Sequence, residues 1–231
     1  MIIAIILSGG NGIRMGSSIP KQYIKVNDKP IVRYAVEAFL DSNMIDVIII
    51  ALNEQWKEYV QNSLPNTEVP IYFSEPGETR EHTIYNALKK SKEVGGEEDD
   101  IVIIHDSVRP LVSQRVIKDC IVGCEKYDAA IAAIDVKDTI YVSTEGECVN
   151  NVPNRSQLHA GQTPEAFKLG SYLRIHDEST YDEICNVTGG AQFAFQQGLR
   201  VFLSRGEEIN FKITTPEDLE RFKLVLEAKN S

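Results

Sequence analysis

The run Ile2-Ile3-Ala4-Ile5-Ile6-Leu7 has no polar position with which to face water, and it stops at Gly9, Gly10 and Gly12, three glycines within four residues. An unbroken apolar run ended by a breaker reads as a strand buried on both faces, which needs covering elements above and below it. The pattern recurs at Asp46 to Leu52 and Ile101 to Ile104, with further strands at Val69 to Phe73, Ala129 to Ile134 and Val201 to Ser204. Helical spacing falls between them: Pro30 to Leu40, Gln55 to Leu64, about Thr79 to Ser91, Val112 to Tyr127, Val187 to Gly198 and Glu217 to Ala228, with another helix opened by Thr163-Pro164-Glu165. This alternation predicts a Rossmann-like α/β fold, a mostly parallel sheet with helices on both faces. No repeat or linker interrupts the 231 residues, so a single domain, 1–231, is expected. Only residues 136–155 depart from the pattern. Two short alternating runs there, Thr139 to Val142 and Cys148 to Val152, flank turn chemistry and predict a protruding β-hairpin arm at about 137–155. Such an arm is either a surface hairpin or a dimerising element, since unpaired edges commonly recruit a partner.

Ligands of such sheets bind beyond the carboxyl ends of the strands, where the glycine segment lies. Glycine lets several peptide N–H groups approach one anion closely. Arg14 adds a planar cationic fork and Lys21 a compact point charge, both suited to phosphate. Without a ligand, the same stretch would be a Gly-rich turn with solvated cations. It is not a P-loop, because no Gly-Lys-Ser/Thr follows, and not a dinucleotide fingerprint, because Met15 stands where the third glycine would be.

Composition narrows the partners. A formal charge of −10 argues against nucleic-acid binding, so any anionic ligand must meet locally gathered cations. The sequence shows no basic leader and no long apolar segment, so a cytoplasmic protein without membrane association is expected. Cys120 and Cys124 share a helix face and could pair on a metal, but buried thiols fit the spacing better.

Three further segments carry chemistry. Asp106 and Arg109 follow a strand end; they could bind a ligand hydroxyl or metal and a phosphate, or simply cap the next helix. Gly77 to Thr83 is a glycine loop entering a helix whose first N–H groups can meet a ligand; His82 there is a candidate base or an exposed polar residue. Lys212 sits between apolar neighbours, facing either a ligand or a helix carboxylate. No Ser-His-Asp set or paired carboxylates can be read from the spacing. Cations and glycines gathered at strand ends favour phosphoryl or nucleotidyl transfer, in which catalysis is mainly positioning and charge neutralisation.

Taken in order, Leu7-Ser8-Gly9-Gly10-x-Gly12-x-Arg14-Met15, Pro20-Lys21-Gln22-Tyr23, Gly77-x-x-Arg80-x-x-Thr83, His105-Asp106-x-x-Arg109-Pro110, Gly161-Gln162-Thr163-Pro164 and Asn210-x-Lys212-Ile213-Thr214-x-Pro216-Glu217-Asp218-Leu219 resemble the polyol-phosphate cytidylyltransferases over nearly the whole chain. The resemblance implies a reaction of CTP with a polyol phosphate to give a CDP-polyol and pyrophosphate, with Mg²⁺ held mainly by the CTP phosphates. It further implies that Leu7, Ser8, Gly9, Gly10 and Gly12 wrap the ribose and triphosphate, that Arg14 holds the β and γ phosphates, and that Lys21 and Lys212 stabilise charge at the α-phosphorus. Gly77 and Thr83 bind cytosine, and Arg80 and Asp106 also belong to the nucleotide side. Asp106, Arg109, Thr139, Arg155, Thr163 and Thr188 line or support the acceptor pocket, Arg155 reaching a neighbouring subunit of a homodimer. The family includes a ribitol-5-phosphate enzyme of teichoic acid synthesis and a 2-C-methyl-D-erythritol 4-phosphate enzyme of isoprenoid synthesis. Leu7-Ser8-Gly9-Gly10 in the first loop, where the latter shows Pro-Ala-Ala-Gly, together with Gly161-Gln162-Thr163-Pro164 favours D-ribitol 5-phosphate, with methylerythritol phosphate as the alternative. Thr188-Gly189-Gly190 replaces a Thr-Asp-Glu pattern, so an acidic group near the acceptor is missing; a nucleotide-binding protein without catalysis is the remaining reading.

Overall fold

A computed structural model of the chain describes residues 1–10 and 19–230. Seven strands form one sheet in the order β5-β4-β1-β6-β8-β7-β9: β1 (Ile2–Leu7), β4 (Val47–Ala51), β5 (Ile71–Ser74), β6 (Ile101–Asp106), β7 (Ala129–Asp135), β8 (His159–Lys168) and β9 (Val201–Arg205). The short strands β2 (Lys25–Val26) and β3 (Lys29–Pro30) pair separately. Only β8 runs antiparallel to its neighbours in the large sheet.

The apolar runs are explained by what covers each face. Ala4, Ile6, Ile48, Ile50 and Ile103 pack with α1 (Ile31–Leu40), α2 (Lys57–Ser63) and α4 (Gln114–Lys126). Their neighbours Ile3, Ile5, Ile49, Val102 and Ile104 pack with α3 (Arg80–Glu93), α5 (Leu169–Glu178), α6 (Tyr181–Cys185) and α7 (Gly190–Gln196). Successive side chains point to opposite faces, and both faces are dry, so alternation of polarity disappears from the central strands. A smaller cluster, Val26, Ile31, Val108, Leu111, Ile213 and Phe222, seats α8 (Pro216–Asn230) against the carboxyl end of the sheet. Cys120 and Cys124, on α4, are buried free thiols in the first of these clusters, and burial pushes each pKa up to about 12.

Two sequence expectations fail. Thr163-Pro164-Glu165 does not open a helix but lies inside β8. Proline cannot donate to a ladder, yet Pro164 falls where the β7/β8 register shifts between Ile131 and Ala133, a place where a missing N–H is tolerated. The helix begins instead at Leu169, as α5, and α6 follows it without a counterpart in the sequence reading. In residues 137–155 the two expected strands reduce to a single antiparallel bridge, Val142 with Asn151. No described helix is long and apolar enough to cross a membrane.

Candidate active site

The chain leaves β1 to build β4 and β5 on one side and crosses to β6 on the other, so the carboxyl ends of β1 and β6 frame a crevice. Leu7 and Asp106 are direct register partners at those ends. Between them opens a cleft of about 520 Å³, walled by Leu7 to Gly10, Lys21, Gly77 to Arg80, Asp106 and Lys212. The first loop, the helix-entry loop, the β6 end and the segment before α8 thus meet in one place.

The loop is held from outside. Gln22 donates to the carbonyls of Ser8 (2.8 Å) and Gly10 (2.6 Å), Tyr23 Oη to that of Ser8 (2.8 Å) and Asn53 to that of Gly9 (3.2 Å). These bonds fasten the loop's carbonyl oxygens to side chains, and Ser8 N–H donates to Ala51 O at 2.8 Å, so the loop's course is set by the protein itself. Gly9 has a second reason to be glycine: a Cβ there would stand 2.4 Å from Pro76 Cβ, so the two cleft loops approach each other only without it. Gly77 N–H donates to Thr83 Oγ1 at 3.0 Å, and Thr79 caps α3 by accepting from His82 N.

Asp106 is the electrostatic centre. Lys212 Nζ lies 2.8 Å from Oδ2, Arg80 Nε 3.7 Å from Oδ1, and Arg109 Nε 3.8 Å from Oδ2. Burial alone would raise the Asp106 pKa, but Arg80, Lys212 and Arg109 hold it well below the ordinary carboxylate value. Arg80 in turn is gripped by Glu165 Oε2 (2.6 Å) and Glu81 Oε1 (2.9 Å). Burial would lower its pKa; Glu165, Asp106 and Glu81 raise it well above the ordinary value instead. Lys21 Nζ donates to Ile213 O at 2.7 Å, and Ile213 N–H to Val108 O at 2.8 Å, which ties the β6 turn, the first loop's lysine and the segment before α8 together.

Several expected site residues lie elsewhere. Thr139 and Arg155 are exposed on the arm, Arg155 donating to Lys137 O, and neither lines the cleft. Thr188 sits outside α7 and donates to Gln192 Oε1 at 2.7 Å rather than facing the cleft. Thr163 and Arg109 stand behind Asp106: Thr163 Oγ1 accepts from Asp106 N–H at 3.1 Å, and Arg109 Nη1 donates to Asn210 O at 2.7 Å. His82 bonds Thr79 Oγ1 through Nδ1 (2.9 Å) and packs on Tyr181, away from the cleft lining. Gly12 and Arg14 lie outside the described residues.

Sequence reasoning missed Glu165. Buried in β8, it accepts from Ala191 N–H at 2.8 Å with Oε1 while holding Arg80 with Oε2. A carboxylate thus lies beside Gly189 and Gly190, but it is turned to Arg80 rather than to the cleft. Gly190 is the complement, since a Cβ there would stand 2.5 Å from Tyr172 Oη and 3.3 Å from Glu165 Oε2. Its signal was hidden because Glu165 followed Thr163-Pro164 and read as a helix start.

A model of the family described as IspD, 2-C-methyl-D-erythritol 4-phosphate cytidylyltransferase, matches residues 2–228. The chain is 36% identical over 221 residues to the 2-C-methyl-D-erythritol 4-phosphate cytidylyltransferase of Clostridium botulinum (strain Eklund 17B / Type B), covering 95% of this chain and 96% of that one. It is 36% identical over 222 residues to the protein of the same name from Clostridium beijerinckii, covering 95% of each. Among solved structures, the 4-diphosphocytidyl-2C-methyl-D-erythritol synthase of Anaerococcus prevotii DSM 20548 superposes with a TM-score of 0.82 at 25% identity, over 98% of both chains. The 2-C-methyl-D-erythritol 4-phosphate cytidylyltransferase of Francisella tularensis superposes with 0.80 at 29% identity, over 96% of this chain and 98% of that one.

Proposed function

The chain belongs to the 2-C-methyl-D-erythritol 4-phosphate cytidylyltransferase family, and within that family of nucleotidyltransferases we propose that its own acceptor is 2-C-methyl-D-erythritol 4-phosphate. The observation that carries this choice is the match to relatives of that name over nearly the full length of both chains. It outweighs the Leu7-Ser8-Gly9-Gly10 loop, the feature that favoured ribitol 5-phosphate.

In the proposed reaction an oxygen of the acceptor phosphate attacks the α-phosphorus of CTP in line. A new P–O bond forms, the α–β bridging bond breaks, and pyrophosphate leaves with its electron pair. No general base is needed, because a phosphate monoester has its second pKa near 6 and arrives largely ionised. The loop Leu7 to Gly10 faces the triphosphate, with Gly12 and Arg14 continuing it; Gly77, Arg80 and Thr83 serve the cytidine side. Lys21 and Lys212 offer cationic donors to the charge that builds at the α-phosphate, where each is worth most in a site already organised around it. Asp106, backed by Arg109 and Thr163, presents a carboxylate to the acceptor's hydroxyl groups.

Mg²⁺ is assigned as the accompanying ion. It is taken to be carried mainly by the triphosphate, since the cleft carboxylate Asp106 is engaged by cations. When bound, such an ion would supply charge neutralisation to the phosphates. Thr139 and Arg155 enter the reading through a homodimer, in which the arm of one subunit reaches the cleft of the other.

The test is pyrophosphate release with CTP and Mg²⁺ over a panel of methylerythritol, ribitol, arabinitol and glycerol phosphates, repeated with UTP and GTP. Methylerythritol 4-phosphate with CTP is expected to give the highest kcat/KM. A higher value with ribitol 5-phosphate would overturn the acceptor assignment, and CTP binding without turnover on any acceptor would overturn catalysis.

A further inference from the structure

The backbone that presents Asp106 is fastened by a buried imidazole to which the transfer chemistry assigns no role. His105, the residue before it on β6, is fully buried and packs its ring against Phe39 of α1 at 5.2 Å. Its Nε2 lies 2.9 Å from the carbonyl oxygen of Arg109, and its Nδ1 3.0 Å from Thr163 Oγ1. A carbonyl oxygen only accepts, so Nε2 carries the proton. In the neutral ring Nδ1 is then an acceptor, and the Thr163 hydroxyl donates to it. The lone pairs of the same hydroxyl are left for the Asp106 N–H, 3.1 Å away.

The contacts also close on themselves. Arg109 Nη1 donates to Asn210 O at 2.7 Å, and Asn210 Nδ2 donates to Thr163 O at 2.8 Å. His105, Arg109, Asn210 and Thr163 thus form a circuit joining β6 and its turn, the segment before α8, and β8. Asp106 hangs from one link, and Lys212 stands two residues beyond another.

We propose that His105 is a positioning residue of the nucleotidyl transfer: locked as the neutral ring protonated on Nε2, it closes the His105, Thr163, Asn210, Arg109 circuit that sets Asp106 and Lys212 in the cleft. This rests on the cytidylyl-transfer reading, in which catalysis consists of holding charges in place. A protonated ring would not serve. Its Nδ1–H would need the Thr163 oxygen as an acceptor, and the hydroxyl proton would lose Nδ1 as its own. Burial opposes the imidazolium first of all; Asp106 and the Arg109 carbonyl favour it, Arg109 and Lys212 as charges oppose it, and the pKa is lowered to about 4.

Two measurements test this on the full chain. Ring ¹⁵N spectra of histidine-labelled protein, with His105 identified by the signal lost in His105→Gln, should show one ring with Nε2 protonated and Nδ1 bare, unchanged from about pH 8 to about pH 5. A ring protonated on Nδ1, or one titrating with an ordinary midpoint, overturns the proposal. In steady-state kinetics, His105→Gln and Thr163→Val should each lower kcat by about tenfold or more while KM for CTP moves less than about threefold. Wild-type kcat in either folded variant overturns it. Thr163→Val, which keeps the imidazole packed, decides the matter if His105→Gln does not fold. Wild-type protein that releases no pyrophosphate from any acceptor would overturn the transfer reading and with it the role of His105, while the spectra would still decide the circuit.

Discussion

At Lys21 a single side chain separates the roles of binding and catalysis. It lines the cleft and its Nζ is seated on Ile213 O, so the side chain is placed before any ligand arrives. Replacing it with alanine removes a donor aimed at developing charge and should lower kcat by about 10²-fold or more; single-turnover pyrophosphate release compared with CTP affinity checks that the loss is in kcat. His105 makes a second residue-scale prediction, in stability. Its folded pKa is depressed from 6.5 to about 4 by burial, so between those values the unfolded chain binds the proton that the folded chain refuses. Stability from this group is therefore complete above about pH 6.5, falls as the pH drops toward about 4, and is flat below, a loss of about 3 kcal/mol. Asp106 stays ionised through that window, because its own pKa is pushed lower. In urea titrations at successive pH values, the stability advantage of the wild type over His105→Gln should shrink by that amount, and an unchanging difference would refute the assigned pKa. At this scale Arg14 and Lys21 were legible from sequence because they follow the glycines that end an apolar run, and Lys212 because it stands between apolar neighbours. Glu165 and the circuit through His105 were not, since Arg80 lies 85 residues from Glu165 and Thr163 58 residues from His105, and no local pattern marks either contact.

Elements show how the same local signal can have two outcomes. Thr215-Pro216-Glu217 opens α8 as its chemistry predicts, whereas Thr163-Pro164-Glu165 is built into β8. What differs is the sequel. Ala166 and Phe167 are buried on opposite faces of the sheet, in separate apolar clusters, and that burial overrides the helix-start signal. The parallel strands were legible because two dry faces produce unbroken apolar runs; β8, with Gln162, Thr163 and Glu165 buried among polar partners, has no such run. The approach of α7 to β8 depends on Gly190, so Gly190→Ala should cost about 1–3 kcal/mol by forcing Tyr172 or the helix to move. Gly10→Ala is the contrast. A Cβ there meets nothing within 4 Å, so stability should change by less than about 0.5 kcal/mol while CTP affinity falls through obstruction of the cleft. Chemical denaturation and nucleotide titration of the two variants separate a glycine needed for packing from one needed for the ligand.

For the molecule as a whole, the arm is where the proposed sharing of the site between two subunits can be tested. Ile140, Tyr141, Val142, Val149 and Val152 are all exposed, between 39% and 63%, on a segment whose own pairing is one bridge. Apolar side chains so displayed call for cover, and a second copy of the chain would supply it while bringing Thr139 and Arg155 to a cleft that their own subunit does not let them reach. Light scattering should then give twice the 25.9 kDa of one chain. The stronger test asks whether the site is shared. Lys212→Ala and Arg155→Ala should each be inactive as homodimers, because every cleft lacks one of the two groups. Mixed in equal amounts and allowed to exchange subunits, half of the dimers become hybrids. In each hybrid one cleft has both groups intact and the other has neither, so about a quarter of wild-type activity should return. If Arg155 acted within its own subunit, every cleft of the mixture would still lack one group and no activity would reappear, and the arm would have to be assigned a purely structural purpose.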